Sequence, residues 1–121
     1  MGHVVQKVLL TAREEREVSM VVDTGATFSV LPPDLADEIG VARLGRTYRI
    51  ELANGTPVDM EVGTAFFRVL DREAPATVLI GAVTEPLLGV ETLEALGLTV
   101  DPTTGTLRKK RGYAVRLGGF R

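Results

Sequence analysis

Asp23 stands where a buried strand should carry on. The apolar run Met20-Val21-Val22 leads directly into it, and Thr24-Gly25-Ala26 separates it from a second apolar stretch, Phe28 to Leu31. Burying an unpaired carboxylate is costly, so an acid at the end of a core segment is either satisfied by hydrogen bonds or put to use. Taken locally, these residues fit two outcomes. One is an ordinary β-turn opened by Asp23; the other is a reactive carboxylate set into a loop between two core segments.

The remainder of the chain reads as short strands separated by turn signals. Val4 to Leu10 and Val18 to Val22 flank the charged stretch Arg13 to Glu17, and their β-branched content at strand length predicts a hairpin. Pro32-Pro33 forces Leu31 out of the α region and opens a short helix, with Leu35 and Ile39 on one face and Gly40 as its stop. From Thr47 to Val69 the chain is again β, interrupted by Ala53-Asn54-Gly55-Thr56. Asn-Gly between strand-like runs predicts a hairpin tip, because both residues tolerate positive φ. Ala76 to Ala82 is a continuous apolar run of the kind buried on both faces. Pro86-Leu87-Leu88-Gly89 follows it, then a short helix bearing Val90, Leu93 and Leu96 and ending at Gly97. Asp101 to Gly105 is a turn, and Thr106 to Lys110 and Tyr113 to Leu117 are strand candidates. An apolar strand, a glycine and a short helix closing on glycine occur twice, around Gly25 to Val41 and around Gly89 to Leu98, with different spacings.

Composition narrows the chemistry. At 121 residues the chain has room for one domain and one core. It contains no cysteine, which removes disulfides, thiol nucleophiles and thiolate metal sites together. The one histidine, His3, lies near the first methionine, so a Ser/His/Asp relay or an imidazole-rich zinc site would have to be assembled around that single residue, and neither is expected. No metal and no other cofactor is expected. No apolar run approaches the roughly 18 residues that cross a bilayer, and the N-terminus lacks the core of a secretory signal. The expectation is a cytoplasmic protein with no membrane partner. Residues 108–121 carry six of the 14 basic side chains and no acid, leaving eight basic against 16 acidic residues elsewhere. Such a tail suits a solvated edge strand, and nucleic acid is not expected as a partner.

Val22-Asp23-Thr24-Gly25-Ala26-Thr27-Phe28-Ser29-Val30-Leu31 resembles the active-site loop of the retropepsins, the aspartic proteases of retroviruses and their cellular and bacterial relatives. A second family signature, two aliphatics and a glycine leading into a C-terminal helix, is matched by Thr77 to Gly81 and then Pro86 to Gly97. Between the two lies the Asn54-Gly55 hairpin, where this family carries its flap. The resemblance covers about residues 15–101. It implies an all-β fold: a closed acid-protease barrel with a flap hairpin and one or two short helices, forming a two-fold dimer. Residues 1–121 are then one domain, with a basic C-terminal strand or tail over 103–121.

The resemblance also implies a function, an aspartic endopeptidase acting on polypeptide. Two carboxylates must share one proton to activate a water. Two unit charges about 4 Å apart at an effective dielectric near 20 repel by about 4 kcal/mol, so one of such a pair keeps its proton near neutrality. Only one Asp-Thr-Gly exists here, so the second Asp23 must come from a symmetry mate. By the same resemblance, Thr24 bonds across the dimer axis, Gly25 admits backbone, and Ala26 leaves room beside the carboxylates. Thr27, Asn54, Gly55 and Leu87 would contact substrate, while Leu88 and Gly89 brace the active-site loop. Viral enzymes commonly carry an acid where Thr27 stands and an arginine where Val90 stands, so both members of an ion pair are missing together. Val4 to Leu10 and Thr106 to Leu117 are candidates for the dimer sheet. The alternative is a catalytically silent dimeric module that binds peptide or, through its basic tail, nucleic acid.

Overall fold

The computed structural model describes residues 4–52 and 54–110. His3 and the strand expected over Tyr113 to Leu117 lie outside the described residues. The first hairpin joins β1 (Val5–Thr11) to β2 (Glu15–Val22), in register from Val5 opposite Val21 to Thr11 opposite Glu15. Alternation puts Val8 and Leu10 of one strand and Met20 and Val22 of the other into the core. The charged stretch therefore splits: Arg13 and Glu14 turn, while Glu15 to Glu17 extend β2 with exposed side chains.

After Asp23 the chain crosses to β3 (Ser29–Leu31) and enters α1 (Pro33–Ile39). Pro32 is extended at the helix N-cap, Pro33 opens the helix, and Leu35, Ala36 and Ile39 are buried. Gly40 ends it at φ 77°, a conformation that favours glycine. A long hairpin follows, β4 (Thr47–Glu51) and β5 (Pro57–Val69), and β5 then pairs from Glu61 to Val69 with β6 (Arg72–Ile80). The short β7 (Leu87–Leu88) leads into α2 (Val90–Leu96), which stops at Gly97 with φ 67°. The echo in the sequence is thus physical, since both helices are seven residues long and close on a left-handed glycine.

Seven strands form one sheet in the order β1-β2-β7-β3-β6-β5-β4, and β1 pairs β5 through Leu9 to Thr11, closing the sheet into a barrel. Within it β3 runs parallel to β6 and antiparallel to β7, while β7 runs parallel to β2. The last strands, β8 (Leu98–Val100) and β9 (Leu107–Lys109), form a separate hairpin. β1 is a barrel strand, which leaves only its Val5 to Val8 portion with an edge not taken by β5.

Two features depart from the sequence reading. β6 starts at Arg72, because Leu70 and Asp71 form a two-residue turn with φ of 49° and 64°. Among the described residues of the β4–β5 tip only Gly55 has positive φ, at 87°. Its N–H closes the turn on the Leu52 carbonyl at 2.8 Å, and Asn54 Oδ1 accepts the Thr56 N–H at 2.9 Å.

The main core runs from Val8 through Phe67 and Val78 to Leu107 and packs both helices against the barrel. A smaller cluster, Val30, Met60, Val62 and Leu79, lies under the β4–β5 hairpin, with Phe28, Ile50, Val58, Val83 and Leu87 packed against it. Among the described residues no helix is long and apolar enough to cross a membrane.

Candidate active site

β2 delivers Asp23 to the mouth of the barrel. Its backbone is pinned by the neighbouring strand β7 and the residue before it, where the Asp23 N–H donates to the Leu88 carbonyl at 3.0 Å and the Val21 N–H to the Pro86 carbonyl at 3.0 Å. The turn then folds back on the acid: the Gly25 N–H donates to Asp23 Oδ1 at 2.9 Å and the Ala26 N–H to the Asp23 carbonyl at 3.1 Å. Asp23 is half-buried, and Thr24 and Gly25 are exposed. This is a β-turn opened by Asp23, in which Oδ1 is taken by the Gly25 N–H.

The carboxylate opens on a cleft of about 720 Å³ lined by Val21, Val22 and Leu87 from the strands, by Asp23 and Thr24 from the turn, and by Ala82, Val83, Thr84 and Glu85 from the loop before β7. Leu87 and Val83 belong both to this lining and to the apolar cluster under the β4–β5 hairpin, so that wall is held by packing. Leu88 and Gly89 are buried behind the loop. Thr27 is exposed beyond Ala26, and Asn54 and Gly55 are exposed at their hairpin tip, outside the cleft lining.

Behind the turn, the head of α2 is bonded to the chain that carries Asp23. Val90 N–H donates to the Ala26 carbonyl and Glu91 N–H to the Thr27 carbonyl, each at 2.8 Å. Gly89 N–H donates to Ser29 Oγ at 3.0 Å, and Ser29 Oγ lies 2.6 Å from Thr92 Oγ1. Gly89 fits because it has no side chain: a Cβ there would lie 2.5 Å from the Phe28 carbonyl carbon. Sequence reasoning passed over Ser29 and Thr92. The available signal was a hydroxyl inside the apolar run Phe28 to Leu31 and another among the buried positions of α2, since buried polar groups require partners. It also passed over Val83, Thr84 and Glu85 as cleft walls, for which the sequence carries no local mark.

Among the described residues no group of three or more His, Cys, Asp or Glu side chains is placed to hold a metal ion. Lys109 Nζ meets Asp71 at 2.9 Å and Lys110 Nζ meets Glu94 at 3.6 Å, so two of the basic residues near the C-terminus are engaged with the body of the protein.

A family model described as "gag-polyprotein putative aspartyl protease" matches residues 11–95, a span that contains the Asp23 turn, the β4–β5 hairpin and most of α2. No curated protein matches the chain. Among solved structures, the EIAV protease complexed with the inhibitor HBY-793 superposes with a TM-score of 0.64, covering 79% of this chain and 89% of that chain at 23% identity. At that identity the likeness is one of fold.

Proposed function

Because the chain belongs to the gag-polyprotein aspartyl protease family, we propose that it is an aspartic endopeptidase built as a homodimer, each copy supplying one Asp23. The observation that carries this reading is Asp23 itself, a half-buried carboxylate held by one backbone N–H and lining a cleft of about 720 Å³. Thr24 and Gly25, exposed beside it, are the surface a second copy would cover. Residues 1–121 act as one domain in this reading.

In the dimer one Asp23 is ionised and its twin protonated. The ionised carboxylate takes a proton from a water between them, and the water oxygen attacks the peptide carbonyl carbon. The protonated twin gives its proton to the carbonyl oxygen. Collapse of the tetrahedral intermediate breaks the C–N bond, the amine leaves with a proton, and the pair again holds one. Thr24 fixes the two turns across the axis, and Gly25 and Ala26 let water and substrate backbone approach. Asn54 and Gly55 close over the peptide from the hairpin tip, Thr27 meets its backbone, and Leu87 lines an apolar subsite. Leu88 and Gly89 support the loop from behind. The engagement of Lys109 and Lys110 with acids gives no support to a nucleic-acid module.

The test is incubation with unfolded polypeptide from pH 4 to 7 across a dilution series. Specific activity should fall on dilution as dimers dissociate, Asp23→Asn should abolish it, and mixing that variant with wild type should suppress the wild-type activity. Cleavage that survives Asp23→Asn, or stays constant while light scattering reports monomer, would refute the mechanism.

A further inference from the structure

The structure assigns to Ser29 and Thr92 the task of positioning the loop that carries Asp23, an inference that rests on the protease reading above. They are the two fully buried polar side chains among the described residues, and they meet each other. α2 has no side-chain cap of its own at Gly89. A helix start leaves backbone N–H groups without intrahelical partners, and here three successive ones end on the segment after Asp23. Gly89 N–H goes to the Ser29 hydroxyl, Val90 N–H to the Ala26 carbonyl and Glu91 N–H to the Thr27 carbonyl. The segment after Asp23 therefore supplies the acceptors for the head of α2, from the chain leading into the neighbouring strand β3.

The ring of bonds closes through Asp23. Its N–H donates to the Leu88 carbonyl and its own carbonyl accepts from Ala26 N–H, so the turn and the helix head hold one another. Every link is backbone to backbone except the two made by Ser29 Oγ, which accepts the Gly89 N–H and pairs with Thr92 Oγ1, a residue 63 positions later. Replacing two buried hydroxyls by apolar groups of like shape is often close to neutral for stability. What the pair supplies is direction, since a hydroxyl–hydroxyl bond fixes the rotation of α2 against β3 where methyl packing would allow it to slide. Any such slide is passed through Gly89, Val90 and Glu91 to the turn that aims Asp23.

The hydroxyl can be separated from the shape. Thr92→Val keeps the branched side chain and removes the bond; Thr92→Ser keeps the bond and removes a methyl group. Thr92→Val should lower kcat by about 10- to 100-fold with KM nearly unchanged, the scale of a small misplacement of a catalytic group. Thr92→Ser should keep kcat close to wild type even where it melts earlier. Thr92→Val with wild-type kcat and only a lower Tm, or Thr92→Ser losing as much kcat as Thr92→Val, overturns the assignment. Amide hydrogen exchange tests the coupling without activity: in Thr92→Val the amides of Gly89, Val90, Glu91, Asp23 and Ala26 should all lose protection together. Loosening of the helix amides alone would overturn it. A wild-type chain that cleaves nothing would defeat the protease reading, and the exchange result would still decide whether the hydroxyls couple helix to turn.

Discussion

Gly89→Ala tests the support behind Asp23 with one methyl group. Gly89 has φ −96° and ψ 175°, ordinary extended backbone for any residue, so the substitution introduces no torsional strain. Its effect is one of space. The new Cβ would lie 2.5 Å from the Phe28 carbonyl carbon, 2.6 Å from its oxygen and 2.9 Å from the Ala26 oxygen. All three are backbone atoms that no rotamer change can move aside. Ordinary contact begins at 3.4 Å, so the Ala26–Phe28 segment has to retreat by about 0.9 Å. Overpacking of this kind costs about 1–3 kcal/mol, and displacing a catalytic group by about 1 Å costs on the order of 100-fold in rate. Gly63→Ala is the control, because its Cβ would meet Val41 Cγ1 at 2.5 Å and the Ala42 oxygen at 2.9 Å, with no atom of the Asp23 turn among its nearest neighbours. Both variants should lower the unfolding midpoint at a fixed protein concentration. Only Gly89→Ala should lower kcat per folded protein, by one to two orders of magnitude. Wild-type kcat in Gly89→Ala, or an equal loss in Gly63→Ala, would show that the segment behind Asp23 does not set its position.

Three further outcomes are expected. Leu70 is exposed and sits at φ 49°, where an ordinary side chain costs about 1–2 kcal/mol. Leu70→Asn should therefore stabilise the protein by about 1 kcal/mol in denaturant titration, and a neutral or negative result refutes the strain argument. Asp101 accepts the Thr103 N–H at 2.8 Å, and this bond, helped by Thr104 and Arg108, holds its carboxyl below the usual value of 3.8. A depressed acid stabilises the fold above its unfolded value and loses that contribution as pH falls through the folded one. Wild type should therefore lose its advantage over Asp101→Asn below about pH 4, and a constant difference between pH 3 and pH 6 would contradict the sign. Glu85 lines the same cleft as Asp23, so peptides with Lys or Arg near the cut should be favoured over acidic ones. An exposed pair worth about 0.2–1 kcal/mol corresponds to at most about fivefold in kcat/KM. Glu85→Gln should erase that margin, and an unchanged ranking of peptides would exclude the electrostatic reading.

The parts of the fold legible in the sequence are those fixed by local chemistry. Pro32-Pro33 and Gly40 bracket α1, Gly97 closes α2, and Asn54-Gly55 marks a hairpin, because proline, glycine and asparagine restrict φ and ψ without help from distant residues. The Leu70-Asp71 turn was hidden for the converse reason. Leucine carries no turn signal, and its left-handed backbone is imposed by the pairing of Val69 with Arg72 and the long β5–β6 ladder behind it. Closure of the barrel through Leu9 to Thr11 and the parallel pairing of β3 with β6 are contacts between distant segments that no local pattern announces. At the site, the Asp23 turn could be read because an acid interrupts an apolar run. Its support could not, since Ser29 and Thr92 are ordinary residues until the fold buries them side by side.

That support explains how the chain dispenses with charges at positions 27 and 90. Thr27 is exposed and Val90 only partly buried, so an ion pair there would be solvent-screened and worth little. Their backbones take up the connection instead, with the Thr27 carbonyl bonded to Glu91 N–H and the Val90 N–H bonded to the Ala26 carbonyl. The Ser29–Thr92 hydroxyls add direction without adding charge. A neutral brace of this kind holds the Asp23 turn in place without adding a charge behind it, so in the proposed dimer the support itself leaves the repulsion between the two aspartates unchanged.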